Sequence, residues 1–388
     1  MHHERNTLSV DPKDLFRRTS AVASAYGFTY APTLFEDRRR DKIACTYPDG
    51  ATPDSFEKTG ALFAQFLKQV KEHGLVPHPQ RPLFLWHSNI TPGRPTPKQV
   101  VVHFHILGID RPLADTVLIH TLRALAGEVV KQEMSIAINS IGDKETHARY
   151  VRELGNFFKK RGHLFPADCM TCALKDPVDG LLLLQKQGEN TEGIPAPVDF
   201  LSESSRLHFE ALLEHLEATD TAYTLSPHLL NRNNGLSETY FEIYDQQGSF
   251  FANGGRYSEL ARKFFKGAHA LGGIIRVSAK NTLSCDAPKK QHAKIAFVQL
   301  GTEAKRESLR LTEELRRARI TIAQAIGVES LTEQMLAAEN SSAPYLLIMG
   351  HKEALDRSVV IRNRETLREE SVPIDSLTTH IKQLFAER

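Results

Sequence analysis

Cysteine is scarce. Cys45, Cys169, Cys172 and Cys285 are the whole supply in 388 residues, too few for a disulfide framework, which points to a reducing, cytoplasmic setting. An excess of one charge is missing too: 49 Lys+Arg against 47 Asp+Glu leaves +2. That excludes a polyelectrolyte that grips nucleic acid by its overall field, though not a local basic groove. Long apolar runs are absent. The longest, Gly180 to Leu184 and Tyr345 to Met349, fall far short of the roughly 20 residues of a membrane helix, and Met1-His2-His3-Glu4-Arg5 opens no apolar signal segment. What is present is 41% apolar and 25% charged residues with 23 Gly and 19 Pro, the proportions of a folded globular protein and not of a disordered or fibrous one. At about 150 residues per domain the length allows two to three domains.

Periodicity orders the chain. Leu15 to Tyr26 reads as a helix ending at Gly27, followed by extended Phe28 to Pro32. Phe56 to His73, Asp115 to Lys131, His147 to Lys160, Ser202 to Ala218 and Glu303 to Ala318 carry apolar residues at helical spacing. Leu83 to Trp86 and Val100 to Leu107 read as antiparallel strands either side of the loop Thr91 to Pro97, and Tyr240 to Tyr244 with Ser249 to Ala252 as a second strand pair. Cys285 to His292 is polar and aperiodic, the pattern of a linker. Beyond it, strands at Lys294 to Leu300, Ile320 to Ala325, Tyr345 to Met349 and Ser358 to Arg362 alternate with helices from Glu303, Ser330 and Ser376. That alternation predicts an α/β unit with parallel crossovers.

Several segments then occur in a telling order: Phe104-His105-Ile106-Leu107-Gly108 through Asp115, after a loop bearing Gly93-Arg94; Ile138 to Gly142; Pro195 to Phe209; Gly254-Gly255-Arg256-Tyr257; and Ser330 to Gln334 with Gly350, Arg362 and Arg364 beyond it. This collinear set resembles the histidyl-tRNA synthetase family of class II aminoacyl-tRNA synthetases. The resemblance implies an α+β fold: an antiparallel-sheet core over residues 1–287, interrupted by a helical insertion at about 160–225, then an anticodon-binding-like α/β domain over 293–388. It also implies a homodimer, formed around Leu15 to Glu36, and tRNA or another RNA as partner; an active member would use ATP with Mg.

The chemistry such a family needs is where the chain departs. Guanidinium groups suit phosphates because they stay charged and present paired donors. Where the family carries R-x-E before the loop, this chain reads Leu85-Trp86-His87-Ser88, and near the third motif Ala279 falls at the expected arginine, so that Arg276 or Lys280 substitutes only if the register slips. Asn231 to Leu236 replaces the segment that shapes a histidine pocket, and His105 stands where the family meets the substrate ammonium with a carboxylate. Asp49 in Tyr47-Pro48-Asp49-Gly50 is the remaining partner for that ammonium, and Ser258 ends the GGRY motif. An arginine aimed at transition-state phosphate is worth about 10³- to 10⁵-fold in rate. The sequence therefore predicts a synthetase-like chain that does not aminoacylate, and assigns no catalytic residue. The pocket candidates are Asp49, Arg94, Lys98, His105, Arg232, Gly254, Gly255, Arg256, Tyr257, Arg276 and Lys280; the RNA candidates are Arg362 and Arg364, alternating on one strand. A divergent active histidine-tRNA ligase stands as the alternative, and a regulatory subunit of ATP phosphoribosyltransferase, which lacks such a C-terminal domain, as the third. No metal is assigned: His103 and His105 share a strand face without an evident third ligand, and Cys169-x-x-Cys172, with His163 nearby, lacks the second pair of a structural zinc site.

Overall fold

A computed structural model describes residues 9–31, 59–91, 99–230, 236–279 and 292–386. Asp49, Arg94, Lys98, Arg232 and Lys280, and most of the expected linker, lie outside the described residues.

The first body is built on a nine-stranded sheet. Strands β1 (Ser9–Val10), β2 (Thr29–Tyr30), β3 (Leu83–Thr91), β4 (Gln99–Leu107), β5 (Ser135–Gly142), β6 (Thr224–Leu225), β7 (Ser237–Tyr244), β8 (Phe250–Arg256) and β9 (Ala270–Ala279) take the order β2-β3-β4-β9-β8-β7-β5-β6, with β1 on the end of β9. The long central pairs β3-β4, β4-β9, β9-β8, β8-β7 and β7-β5 are all antiparallel. Each central strand is buried on both faces, and strand alternation sorts its side chains. Trp86, Val102, Phe104, Ile106, Phe241, Ile243, Ile275 and Val277 enter the main core, under helices α1 (Pro12–Ala25) and α3 (Leu113–Val130). The other face carries Leu85, Val101, Leu107 and Ile274, covered by α2 (Thr59–Glu72) through Phe63, Phe66, Leu67 and Val70. Asp11 caps α1 by accepting from the Lys13 amide, and Pro12 occupies its first turn.

Helices α4 (Lys144–Arg161), α5 (Ala167–Ala173) and α6 (Pro177–Gln187) form a satellite with its own core of Tyr150, Leu154, Phe158, Cys169, Leu181 and Leu184. Helix α7 (Glu203–Ala218), within the stretch that the resemblance assigns to the insertion, instead sends Phe209, Leu212 and Leu216 into the main core. Helix α8 (Ser258–Ala261) is one short turn after β8.

The second sheet contains β10 (Ile295–Gln299), β11 (Ile322–Gln324), β12 (Tyr345–Met349), β13 (Ser358–Asn363) and β14 (Glu369–Pro373), in the order β11-β10-β12-β13-β14. Helices α9 (Thr302–Arg317), α10 (Leu331–Asn340), α11 (His351–Leu355) and α12 (Ile374–Ala386) flank it. The expected parallel crossovers exist for β10-β11 and β10-β12, but β12-β13 and β13-β14 are antiparallel. The short links 350–357 and 364–368 are too small for a parallel crossover of a dozen or more residues.

The two sheets share one apolar cluster. At the seam Gly27 has φ of +82°, and a Cβ there would sit 2.9 Å from the Gln324 carbonyl oxygen. Gln324 donates to the Ala25 carbonyl at 2.6 Å, and the Tyr26 hydroxyl donates to Glu313 at 3.0 Å. Arg316 bridges Glu313 and Glu128 at 2.7 and 2.6 Å.

Candidate functional site

The sheet face under α2 is the polar one. Register places His87 opposite His103 and Leu85 opposite His105, so the three imidazoles project to one side of β3 and β4. Their rings lie nearly parallel: His87 and His103 have centroids 4.4 Å apart, His87 and His105 5.6 Å, and His103 and His105 6.2 Å. Phe66 lies flat on His105 at 3.6 Å, and Phe63 packs edge-on against it at 5.2 Å. All three histidines are at most 4% exposed. Burial therefore holds them neutral, pushing His87 down to about 3 and His103 and His105 well below the ordinary range.

Tyr257 reaches the same cluster, its hydroxyl 2.9 Å from His105 Nδ1 and its ring 4.4 Å from Phe63. Gly272 makes the approach feasible: a Cβ there would lie 2.8 Å from His105 Nδ1 and 3.0 Å from the Tyr257 ring. Further along the face, Arg276 of β9 sits 3.5 Å from Asn253, and on β7 the carboxylate of Glu242 accepts from Tyr240 at 2.7 Å and from Tyr244. Arg276 is the one arginine that β3, β4, β7, β8 and β9 place on this face.

The sequence candidates divide accordingly. His105, Tyr257, Gly255 and Arg276 share this side of the sheet. Arg256 does not: alternation along β8 sends it to the opposite face, where it is 1% exposed and forks onto Asp115 with Nε 3.0 Å from Oδ1 and Nη2 2.5 Å from Oδ2. It also donates to the carbonyls of Ile109 and Arg111 at 3.2 and 3.0 Å. Burial alone would raise the Asp115 carboxyl, but Arg256 and His208 hold it down at about 2. Arg256 is thus committed inside the protein and is not an anion ligand on the pocket side.

Gly254 and Gly255 serve strand packing, since added Cβ atoms would meet Phe241 at 2.5 Å and the Thr239 carbonyl at 2.6 Å. The RNA candidates are engaged within the chain as well. Arg362 faces Glu369 at 3.5 Å. Arg364 lies beyond the end of β13 and turns back to donate to the Ala343 carbonyl at 3.0 Å, so the pair does not share a strand face as expected.

His87 is the residue that sequence reasoning missed. It supplies the third imidazole absent from the reading of His103 and His105, and one ligand nitrogen from each of the three lies within 4.8 Å of the others. The alternation Leu85-x-His87-x-Asn89, paired against His103-x-His105, is the signal that could have found it. Cys169 and Cys172 belong to no such group among the described residues; the Cys169 thiol donates to Gln187 at 3.0 Å.

Comparison with known proteins fits this architecture. Residues 293–384 match the anticodon binding domain family. Histidine–tRNA ligase of Fervidobacterium nodosum is 29% identical over 293 residues, covering 73% of this chain and 69% of that enzyme. The counterpart of Rhodococcus erythropolis is 29% identical over 293 residues, covering 72% and 67%. Among solved structures, apo histidyl-tRNA synthetase of Staphylococcus aureus covers 84% of this chain and 82% of its own at 20% identity with a TM-score of 0.43. An ATP phosphoribosyl transferase complex from Thermotoga maritima covers 69% and 98% at 14% identity and 0.43. The antiparallel sheet with its appended anticodon-binding unit defines a class II aminoacyl-tRNA synthetase-like protein. Within that class the chain is similar to the histidyl-tRNA synthetase family, the curated relatives it matches being named histidine–tRNA ligase. Among the described residues no helix is long and apolar enough to cross a membrane.

Proposed function

We propose that the chain is a histidyl-tRNA synthetase-like protein that binds tRNA or another RNA and does not activate an amino acid. The observation carrying this reading is the make-up of the polar sheet face. Neutral imidazoles of His87, His103 and His105 lie there beneath Phe63 and Phe66, and Arg276 is the one guanidinium from the central strands. Holding a bent triphosphate calls for permanently charged, paired donors, which neutral histidines are not. With Arg256 tied to Asp115, a second guanidinium from the sheet is lacking among the described residues.

RNA binding rests on the anticodon-binding match over residues 293–384 and on relatives named for tRNA ligation. Electrophoretic mobility shift of the full chain with bulk tRNA tests it. A retarded complex whose affinity falls as salt rises is the expected outcome. Free tRNA throughout a micromolar titration at low salt would overturn the RNA-binding part. A thermal melt with ATP and Mg²⁺ tests the other part: an unchanged Tm is expected, and a saturable rise that depends on histidine would contradict it.

A further inference from the structure

We propose that His87, His103 and His105 form a three-histidine site for a divalent transition metal, Zn²⁺ foremost, buried between the β3-β4 pair and α2. The inference does not depend on whether the chain activates an amino acid.

Three observations support the site. The donor set is right, because three neutral imidazoles with an open fourth position are a recurring zinc arrangement, and imidazole suits Zn²⁺ over the hard cations. The spacing is right: tetrahedral Zn–N bonds of about 2.0–2.1 Å put ligand nitrogens about 3.4 Å apart. From the present separation of at most 4.8 Å the ligand nitrogens close by about 1.4 Å at most, and the imidazoles turn out of their near-parallel stack so that their lone pairs converge.

The third observation concerns unmet hydrogen bonds. His103 Nε2 and His105 Nε2 are buried with no partner among the described residues, and leaving such a group unsatisfied costs about 1–3 kcal/mol. A metal ion would satisfy both. His105 is moreover already oriented as ligating histidines usually are. Its Nδ1 is held by the Tyr257 hydroxyl at 2.9 Å, which leaves Nε2 as the lone-pair face.

The surroundings define what the fourth position takes. Phe63 and Phe66 make one wall apolar, and Arg276 projects to the same sheet face, its strand neighbour Ile274 lying opposite His103. Among the described residues no carboxylate belongs to the cluster, so a Zn²⁺ bound by these three imidazoles keeps its full charge. Water or a small anion is the ligand class that completes it, with Arg276 as further counter-charge.

Because the histidines are closed off from solvent, loading is best done during folding. The full chain is refolded from urea with Zn²⁺, desalted and assayed for metal by mass spectrometry, in parallel with refolding in chelator. About one Zn²⁺ per chain is expected, with a higher Tm than the chelator-treated sample. Co²⁺ in place of Zn²⁺ should give the visible absorption of a tetrahedral nitrogen-oxygen site without thiolate charge-transfer bands.

The double variant Cys169→Ser/Cys172→Ser should retain the metal and His103→Gln should lose it. Tyr257→Phe, which leaves the three ligands in place, should weaken retention about 10- to 100-fold. Wild-type chain that folds in Zn²⁺ yet carries none, or metal that disappears with the two cysteines, would overturn the proposal.

Discussion

Arg256 and Asp115 illustrate how one residue pair fixes a motif's role. Both side chains are 1% exposed, and the guanidinium meets the Asp115 carboxylate and two carbonyl oxygens, with the exposed Asp110 carboxylate 3.8 Å away. Removing one partner of a buried pair strands a charge, at a cost of about 3–5 kcal/mol. Asp115→Asn should therefore lower the unfolding free energy by about 3 kcal/mol, read from urea denaturation monitored by circular dichroism. His120 makes a second, pH-dependent prediction. Buried beside Tyr26, it bonds Thr219 and Thr221 and has Arg123 and Glu313 as charged neighbours. Burial first, then Arg123, pushes it down to about 4, against the partial opposition of Glu313. The unfolded chain thus takes up a proton below about 6.5 that the folded one refuses. The contribution of His120 is complete above pH 6.5 and is lost as pH falls toward 4, by about 1.4 kcal/mol per unit. Urea midpoints at pH 7, 6 and 5 should fall less steeply for His120→Asn than for the parent chain.

Among the elements, α1 and its exit are the joint between the two sheets. Gly27 combines positive φ with a backbone carbonyl at 2.9 Å from a hypothetical Cβ, whereas Gly188, also at positive φ, has open space around it. Gly188→Ala should cost about 1 kcal/mol from backbone strain alone. Gly27→Ala adds the collision with Gln324 and should cost at least about 2 kcal/mol, with the difference between the two variants' urea midpoints measuring how firmly the terminal unit docks. Strong periodicity made most elements legible in advance: β3, β4, α3 and α9 all follow from apolar spacing. The hairpin-like β13-β14 end and the role of α7 did not. Strand β14, Glu369–Pro373, has one buried residue, Val372, so it offers no alternation to read. Helix α7 is amphipathic wherever it packs, and only tertiary contacts assign it to the main core.

For the molecule as a whole, the family resemblance was legible because motif-like segments occur in order, while the candidate site was legible only in part. GGRY reads as a pocket motif, yet strand alternation splits it, sending Arg256 to one face and Tyr257 to the other. The histidine cluster needed the β3-β4 register, which the intervening loop conceals in sequence. Sheet, satellite and terminal unit together keep a synthetase-like scaffold whose polar face, among the described residues, carries three imidazoles, two phenyl rings and the one guanidinium of Arg276. The measurement that tests this most directly is histidine-dependent ATP–pyrophosphate exchange by the purified chain, with Mg²⁺ and each of the common amino acids in turn. The account predicts exchange at background for all of them. Exchange with histidine at an enzyme's ordinary turnover, about 1 s⁻¹ or faster, would contradict it.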